Sequence, residues 1–393
     1  MKVAISAQFL GASTTGSGQY LSSLVDALST KMAPGDLVLI APPSVDPSEC
    51  ASAPVPVESA AAIGPRAGNV AKLLFEQIAF PRSCRKAGAD LVHVPYFAPP
   101  LRQSLPTVVT VFDLIPLILP QYRQSWLVRS YMRLVSAAAK KARIVITCSE
   151  ASRADIQKYL DVPNSRIRVI PLAAGPAYAP PSPATCEALQ AKLGIRRPYL
   201  LYLGGFDKRK NVALLLRAFS RIAAEVEDVA LVVAGRLPKA DSALSPDPRP
   251  VARSLGLEHR AVFTDYVDEG DKPALYGGAI AFVWPSRYEG FGLPVLESLA
   301  CGTPAVVARG SSLEEVGGPG AIAVAPGDEE AMAGALLQIT RDEDLRRRLA
   351  LAGLQHAATY SWDRTATRTL DVYRDALGIA APLSSTRDDS NRR

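Results

Sequence analysis

Two glutamates eight positions apart lie in the segment RYEGFGLPVLESLACGTP, where an apolar run gives way to helix-forming residues. Gly292 gives the turn backbone freedom, and Leu293 and Pro294 open a helix whose first N–H groups lack partners and can bind an anion. Glu297, about one turn into the helix, and Glu289, on the preceding loop, can each accept hydrogen bonds from hydroxyl groups. Two carboxylates for two sets of hydroxyls, with a phosphate site between them, suit a nucleotide sugar. The alternative is one capping and one solvated carboxylate.

A second cluster of charged side chains follows the run YLLYLG, in the segment GFDKRKNVALLLRAF. Asp207, Lys208, Arg209 and Lys210 stand together at the predicted start of an amphipathic helix. Cations there are disfavoured by roughly a few tenths of a kcal/mol each, because the helix dipole is already positive at this end. A bound diphosphate would offset that repulsion, and a local ion pair with Asp207 is the alternative.

A third candidate site is the early glycine-rich loop QFLGASTTGSGQY, which follows the run KVAIS. Gly16 and Gly18 would let the backbone approach a ligand, and the helix that follows would present N–H groups to a phosphate. The loop is not the dinucleotide fingerprint GxGxxG, because Leu21 occupies the last position, and it has no P-loop lysine. A plain flexible turn is therefore the alternative.

Parallel sheets covered by helices are the elements that must position these side chains. Short apolar, β-branched runs alternate with helical patterns along the whole chain. Ligands of doubly wound sheets bind beyond the carboxyl ends of the strands, where all three segments lie. The runs are KVAIS, DLVLIA, DLVHV, TVVTVF, RIVITC and IRVIPL in the first half, and YLLYLG, ALVVAG, AVFTDY, AIAFVWP, PAVVA and AIAVA in the second.

The length of 393 residues predicts two α/β domains, at roughly 150 residues per domain. The segment GPAYAPPSPATCEALQAKLGIRRP begins with clustered prolines, a composition that resists both helix and sheet and suits a linker. We expect residues 1–180 to form the first domain, 181–195 the linker, 196–360 the nucleotide-sugar domain, 361–380 a further helix, and 381–393 a flexible tail.

Composition excludes several classes of protein. At 48% hydrophobic and 21% charged residues the chain is typical of globular domains. No run approaches the roughly 18 to 20 apolar residues of a membrane span, and MKVAISAQFL leads into a loop and not a cleavage site. The five scattered cysteines indicate free thiols in a reducing compartment, so we expect a cytoplasmic protein.

Positive charge is concentrated in the first half of the chain. Residues 1–178 hold 18 Lys and Arg against 11 Asp and Glu, whereas residues 179–393 hold 26 against 27. The densest segment, QYRQSWLVRSYMRLVSAAAKKAR, mixes basic and large apolar residues at helical spacing. It predicts either a helix resting on an anionic membrane or an ordinary amphipathic helix with a solvated basic face. No nucleic-acid motif accompanies the charge, so we expect no nucleic-acid partner.

These motifs together resemble the family-four retaining glycosyltransferases of the GT-B fold. The resemblance is carried by the E-x7-E pair in EGFGLPVLE and by LGGFDKRKN, VFDLIPL, CSEASRADI and GSGQY, and it covers residues 1–378. Within the family the chain is similar to mannosyl- and rhamnosyltransferases of surface polysaccharides. The resemblance implies two doubly wound Rossmann-like domains facing across a cleft, and hexosyltransferase activity.

The resemblance also implies how a donor diphosphate is held. Arg209 and Lys210 match the basic pair that grips the diphosphate in this family. The amides of the turn at Phe291, Gly292 and Leu293 would bind the same group.

The remaining parts of the donor have matching residues as well. Glu297 corresponds to the glutamate that binds the ribose, and Glu289 to the one near the transferred sugar. The base would lie against the turn at Asp265, Tyr266 and Val267. The segment SWDRTATRTLDVY resembles the terminal helix that crosses back to the first domain.

The chain departs from the family pattern at two positions. Phe112 stands where many relatives carry the histidine that contacts the donor sugar, and Gly205 replaces the usual arginine after LG. Asp113 remains, and we expect it, with Glu289, to be catalytic at the sugar and acceptor side. His93, near the end of a strand, is a second candidate, and a histidine satisfied within the fold is its alternative.

Breaking the bond between sugar and diphosphate develops negative charge on the leaving phosphate, which needs fixed cations and N–H groups. Arg209, Lys210 and the helix start would supply them. We therefore expect no cofactor and no metal, and transfer from a nucleotide sugar to an acceptor hydroxyl with retained configuration. The one Asp-x-Asp, Asp342 to Asp344, opens a helix and is predicted to be acidic capping.

Two rivals remain open. A nucleotide-sugar epimerase of the same layout needs extra acid/base groups, and of three histidines only His93 is predicted near the cleft. A non-catalytic nucleotide-sugar-binding protein is the other. Similarity to the family makes GDP-mannose the first expectation for the donor. The basic first half suggests a lipid-linked or surface glycan as acceptor, and an enzyme peripheral to the inner face of the cell membrane.

Overall fold

The computed structural model describes residues 1–12, 15–45, 55–65, 67–123, 125–196 and 198–379. Every apolar run named above forms a strand in one of two parallel sheets, which confirms the α/β class. One further strand, Val57–Ser59, was not predicted, because it is short, exposed and polar at the edge of its sheet. Predicted features at Cys50 and in the 381–393 tail lie outside the described residues.

The first sheet has seven parallel strands in the order β3-β2-β1-β4-β5-β6-β7. Alternate residues of its central strands face different hydrophobic clusters: Ile5 and Leu39 join one, and Ala4 and Ile40 join the other. Both faces of the sheet are therefore covered, as expected of a parallel sheet. The strands are β1 Val3–Ser6, β2 Leu37–Ala41, β3 Val57–Ser59, β4 Leu91–Val94, β5 Thr107–Thr110, β6 Ile144–Thr147 and β7 Ile167–Val169.

The second sheet has six parallel strands in the order β10-β9-β8-β11-β12-β13. The chain order reverses direction beside β8, so β8 and β11 are neighbours although β9 and β10 come between them in sequence. Such a switch point leaves a crevice at the carboxyl ends of the strands. The strands are β8 Tyr199–Leu203, β9 Ala230–Ala234, β10 Ala261–Asp265, β11 Ala281–Trp284, β12 Ala305–Ala308 and β13 Ala321–Val324.

Helices cover both sheets, and several begin at side chains that cap them. Ser149 accepts a hydrogen bond from the Ser152 N–H, and Asp342 accepts one from the Leu345 N–H, which confirms the predicted capping role of Asp342. The helices are α1 Gly16–Ser29, α2 Gly68–Leu74, α3 Phe80–Lys86, α4 Ile115–Ile118, α5 Trp126–Lys141, α6 Glu150–Leu160, α7 Pro183–Leu193, α8 Val212–Ile222, α9 Arg249–Ser254, α10 Lys272–Gly277, α11 Leu293–Ala300, α12 Ser312–Gly317, α13 Glu329–Arg341, α14 Glu343–Ala357 and α15 Trp362–Leu377.

The proline-rich segment between the sheets differs from the prediction, because α7 occupies most of it. Pro183 is the first residue of the helix, where its missing N–H costs nothing, and Ser182 accepts a hydrogen bond from the Thr185 N–H. Gly194 ends the helix in a left-handed conformation with φ of 70°. The clustered prolines therefore lie before α7 or at its first position, where they do not prevent the helix from forming.

The cationic segment also differs from the prediction, because it precedes the helix. Lys208–Lys210 form a 3-10 turn, and Asn211, with φ of 58°, separates that turn from α8. The charged side chains are therefore held on a tight turn and not on the first turn of the α-helix.

The last helix, α15, packs against the first domain. It lies on α1 and reaches β4, where the hydroxyl of Tyr373 and Nδ1 of His93 are 2.7 Å apart. Arg168 in β7 pairs with Asp375 at 2.6 Å. The chain thus returns to its first sheet after completing the second.

Within the described part of the chain, no helix combines the length and the apolar character needed to cross a membrane. The four described cysteines are buried and free, as predicted. One turn of π-helix, Phe75–Ala79, joins α2 to α3 and carries the buried Glu76.

Candidate active site

A cavity of about 650 Å³ lies at the carboxyl ends of the strands, between the two domains. The first domain contributes Gly16 at the start of α1, together with Phe112 and Asp113 after β5. The second domain contributes the loops after β8, β9, β10 and β11. The predicted residues on the cavity wall are Gly16, Asp113, Lys210, Tyr266, Val267, Glu289, Phe291, Gly292, Leu293 and Glu297.

Glu289 is the centre of a charged cluster on this wall. Its Oε1 lies 2.7 Å from Arg209 Nη1, 2.7 Å from Lys210 Nζ and 3.2 Å from Trp284 Nε1. Burial alone would raise the pKa of the Glu289 carboxyl, but the two cations outweigh burial and hold that pKa below its ordinary value. Glu289 is therefore a buried anion with two cationic partners.

The two cations have different positions. Lys210 reaches the cavity and lies over the Trp284 ring, with Nζ 4.3 Å from the ring centroid. Arg209 lies behind the wall, where its Nη1 donates to the Tyr288 carbonyl at 2.6 Å. Burial lowers the pKa of Lys210, and the Glu289 carboxylate opposes that shift. Of the predicted basic pair, only Lys210 meets the cavity.

The glycine turn before α11 also lines the cavity. Gly292 has φ of 109°, and a Cβ there would approach Leu313 Cδ2 to 2.6 Å, so the position requires glycine. The Ser312 hydroxyl bridges the carbonyls of Glu289 and Phe291, at 2.9 and 2.7 Å, and holds the turn in place. The turn therefore brings the start of α11 to the cavity with little freedom.

Glu297 stands one turn into α11, as predicted, and is buried. Its Oε2 accepts a hydrogen bond from the Tyr276 hydroxyl at 2.9 Å. Burial raises the pKa of Glu297, while Lys272 and the Tyr276 hydrogen bond oppose the shift. A ligand hydroxyl reaching this carboxyl would meet an oriented acceptor.

Asp113 faces these groups from the first domain. Its Oδ1 accepts a hydrogen bond from the Ile115 N–H at 3.0 Å, and burial raises the pKa of the carboxyl. Phe112, at the position of the expected histidine, also lines the cavity and packs edge-on against Tyr20, with ring centroids 4.9 Å apart. An apolar ring thus occupies this position of the cavity wall.

Gly18 and His93 lie outside the cavity wall. A Cβ on Gly18 would lie 2.1 Å from the Ala12 carbonyl oxygen, so close packing between loop and helix requires glycine here. His93 is fully buried, and its Nε2 is 2.9 Å from Thr110 Oγ1. Burial lowers the pKa of His93 to about 3, so it is the neutral, satisfied histidine that the alternative reading described.

Several cavity residues escaped the sequence reasoning. Arg236, Lys272 and Tyr276 line the wall, as do Gly204 and Gly235. Arg236 is the second residue after β9, so the rule that ligands bind beyond the strand ends would have found it. Lys272 and Tyr276 lie on α10, and only the folded structure brings them to Glu297.

Comparison with known proteins agrees with this geometry. Residues 14–174 match the description "Glycosyltransferase Family 4", and residues 187–356 match "Glycosyl transferases group 1". The chain is 32% identical over 286 residues to an O-antigen chain mannosyltransferase B of Escherichia coli, a match covering 72% of this chain and 74% of the relative. It is 28% identical over 277 residues to a serotype-specific mannosyltransferase WbdA of the same species, 69% of this chain but 34% of that longer protein.

Among solved structures, the chain is similar to sucrose-phosphate synthase from Thermosynechococcus elongatus. The TM-score is 0.76 at 21% identity, over 96% of this chain and 99% of that one, which supports the GT-B fold. The match to the mannosyltransferase over nearly three quarters of both proteins supports the family itself. The chain therefore belongs to the family-four glycosyltransferases.

Proposed function

We propose that the protein transfers a hexose from a nucleotide sugar to a glycan hydroxyl, with retained configuration and without a metal ion. The observation that carries the proposal is the placement of Glu289, Lys210 and the start of α11 on one wall, facing Asp113 across the cavity. These groups supply a cation, helix N–H groups and carboxylates within one enclosed space.

The leaving diphosphate is the part of the donor with the strongest electrostatic demand. Lys210 and the amides at Phe291 to Leu293 would bind it, because preorganised cations and N–H groups stabilise charge that develops in the transition state. Arg209, one layer behind, would hold Glu289 and so orient Lys210. This arrangement would put fixed positive charge at the phosphate, which is the role a divalent ion serves elsewhere.

The other polar groups fit the rest of a nucleotide sugar. Glu297, oriented by Tyr276, would accept hydrogen bonds from the ribose hydroxyls. Glu289 would lie beside the transferred sugar, and Asp113 would contact the sugar and the incoming acceptor hydroxyl. Tyr266 and Val267, after β10, would border the base.

The relatives guide the choice of donor and acceptor. The two Escherichia coli proteins are mannosyltransferases by name, one of them of the O-antigen chain, so mannose from GDP-mannose and a surface polysaccharide acceptor are proposed. The protein would then work at the inner face of the cell membrane. The exposed Trp126 and Leu127 on the first turn of α5, 67% and 59% exposed, lie beside basic residues of the same helix and suit an anionic lipid surface.

One experiment separates this function from its rivals. The protein is incubated with several nucleotide sugars, with and without a lipid-linked glycan, and free nucleoside diphosphate is measured. A transferase releases the diphosphate and extends the glycan with an α- or β-linkage that matches the donor anomer. An epimerase changes the donor sugar without release, and a binding protein does neither, so either result would overturn the proposal.

A further inference from the structure

The loops after β9 and β10 are tied together around one arginine. Asp265 adopts a left-handed conformation with φ of 56°, at an irregularity in the β9–β10 register. Its carbonyl accepts from the Gly235 N–H at 2.8 Å, and its Oδ1 accepts from the Leu237 N–H at 3.1 Å. The residues on both sides of Arg236 are therefore anchored to the same aspartate.

Close backbone packing against the loop after β8 also fixes the loop after β9. Gly235 has φ of 137°, and a Cβ there would lie 2.0 Å from the Gly204 carbonyl oxygen. Only glycine fits at this junction of the loops after β8 and β9. Arg236 is thus presented to the cavity by a loop with little freedom.

The guanidinium of Arg236 has an aromatic neighbour on the cavity wall. It lies 5.1 Å from the ring centroid of Tyr266, and both side chains line the cavity. Among the described residues, no carboxylate or carbonyl accepts from the Arg236 side chain. A guanidinium held over an aromatic ring uses none of its N–H donors for that contact, so its planar fork can bind a ligand through two parallel hydrogen bonds.

The position of this pair along the cavity indicates which part of the donor it meets. Lys210 follows β8 and the anion-binding turn follows β11, whereas Arg236 and Tyr266 follow β9 and β10 at the far side of the sheet. With strands about 4.8 Å apart, the ends of β9 and β10 lie roughly 10 and 15 Å from the end of β11. A nucleoside diphosphate bound at Lys210 would place its base, and not its phosphates, beside Arg236.

We propose that Arg236 selects guanine by donating two hydrogen bonds to O6 and N7 of the base, while the exposed ring of Tyr266 packs against the nucleoside. Guanine presents two acceptors on this edge, which match the guanidinium fork. Adenine presents one acceptor and one donor there, so it leaves an arginine N–H opposed by an amino group. Uracil offers a single carbonyl on the corresponding edge. The inference rests on the proposed function, because it requires a nucleotide in this cavity.

The test measures binding of free nucleotides by calorimetry, with no acceptor present. The wild-type protein should bind GDP at least about tenfold more tightly than ADP or UDP, the discrimination expected of one bidentate arginine contact. The analogue 7-deaza-GDP, which lacks N7, should lose much of that preference. Arg236→Met, which removes every side-chain N–H donor, should bind GDP and 7-deaza-GDP equally, and Lys239→Ala, an exposed cation of the same loop outside the cavity wall, should behave as wild type.

The outcomes separate the inference from the proposed function. If the protein binds UDP or ADP as tightly as GDP, the guanine assignment fails while the transferase proposal stands. If Arg236→Met weakens binding of GDP, ADP and UDP by the same factor, Arg236 holds phosphate and the assignment also fails. If no nucleoside diphosphate binds, both proposals fall together.

Discussion

The hydroxyl of Ser149 in the first domain donates to the carbonyl oxygen of Gly290 in the second domain at 2.8 Å. The same oxygen lies 3.1 Å from the Ser152 hydroxyl and 3.2 Å from the Cys148 thiol, and all four residues are buried. A Cβ on Gly290 would come within 2.3 Å of the Phe112 carbonyl oxygen, so the domains touch here backbone to backbone. One carbonyl, next to Glu289, therefore faces three possible donors of the opposite domain, although the single proton of the Ser152 hydroxyl is shared with the Phe112 carbonyl at 2.8 Å.

Removing these donors should impair turnover more than donor binding. We expect Ser149→Ala with Ser152→Ala to leave the Gly290 carbonyl underbonded, at about 1 to 3 kcal/mol, and so to weaken domain closure around Glu289. Transfer should fall roughly tenfold or more in kcat. The dissociation constant for nucleoside diphosphate, measured by calorimetry, should change little.

Ser254→Ala, which removes an exposed hydroxyl bonded only within its own helix turn, is the matched control. Equal kcat in the double variant, the control and the wild type would show that these hydroxyls do not hold the cleft closed.

Glu289→Gln should separate chemistry from nucleotide binding. We expect transfer to fall by about 100-fold or more, the usual contribution of a positioned carboxylate. Lys210 and Arg209 would lose their anionic partner, which destabilises the free protein by about 3 to 5 kcal/mol. A bound diphosphate would restore the missing negative charge, so added GDP should raise the melting temperature more in the variant than in the wild type.

Glu314→Gln, which removes a carboxylate from an exposed ion pair with Arg309, controls for the change of charge. An unchanged transfer rate in Glu289→Gln would remove that residue from the reaction.

Stability should depend on pH through Glu76. Burial raises the pKa of this carboxyl to about 7, while Lys72, 3.8 Å away, and the Tyr131 hydroxyl oppose the shift. Because the unfolded chain loses the proton near its ordinary pKa, about 4.3, and the folded protein only near 7, the free energy of unfolding falls as pH rises between those values. The loss is on the order of 3 kcal/mol.

Glu76→Gln should remove that dependence, because glutamine cannot ionise but can still accept from Tyr131. We expect similar urea midpoints for variant and wild type at pH 5, and a higher midpoint for the variant at pH 8. Glu58→Gln, an exposed change on β3, should not alter the profile. A wild-type midpoint that rises from pH 5 to pH 8 relative to Glu76→Gln would contradict the assignment.

Binding to lipid vesicles should depend on the first turn of α5. Wild-type protein should bind vesicles containing anionic phospholipid at low salt and leave neutral ones, because both basic charge and exposed apolar side chains are required. Trp126→Ser with Leu127→Ser should reduce co-sedimentation several-fold, and Leu351→Ser, an equally exposed leucine on α14, should not. Wild-type protein that ignores anionic vesicles would exclude this surface as a membrane contact.

Transfer should survive chelation. If Lys210 and the α11 amides supply the charge at the leaving phosphate, the initial rate after prolonged dialysis against EDTA should equal the untreated rate within about twofold. Activity that disappears and returns only with added Mg²⁺ or Mn²⁺ would show that a metal ion is needed.

The features of this site that short sequence segments determine were predicted, whereas those that depend on contacts between distant residues were not. The positions of Glu289 and Glu297 follow from a turn and one helix, which short segments of sequence determine. The different placement of Arg209 and Lys210 does not, because Arg209 turns toward the Tyr288 carbonyl, a partner 79 residues away. Gly18 was assigned to a ligand although it packs against Ala12, since a glycine has the same local signature in either role.

The strands and helices were likewise predicted where a local sequence signal was strong and missed where it was weak. Buried strands were found because a parallel sheet covered on both faces needs continuous apolar runs. The edge strand β3 was missed, since its polar residues carry no such signal, and α7 was missed because the prolines before it outweighed Ser182 and Gly194 as cap signals. The position of Arg236 could have been found from the end of β9, but its contact with Tyr266, which follows β10, is known only once the second sheet is assembled.

The contact between His93 and Tyr373 joins residues 280 positions apart in the chain. During synthesis, the first domain is therefore made before α15, the helix that covers part of its α1 and β4. Such distant contacts are closed late and slow folding. The sheet of the second domain can form before α15 docks on the first domain. The first domain therefore gains the stability of these contacts only after residues 362–377 have been synthesised.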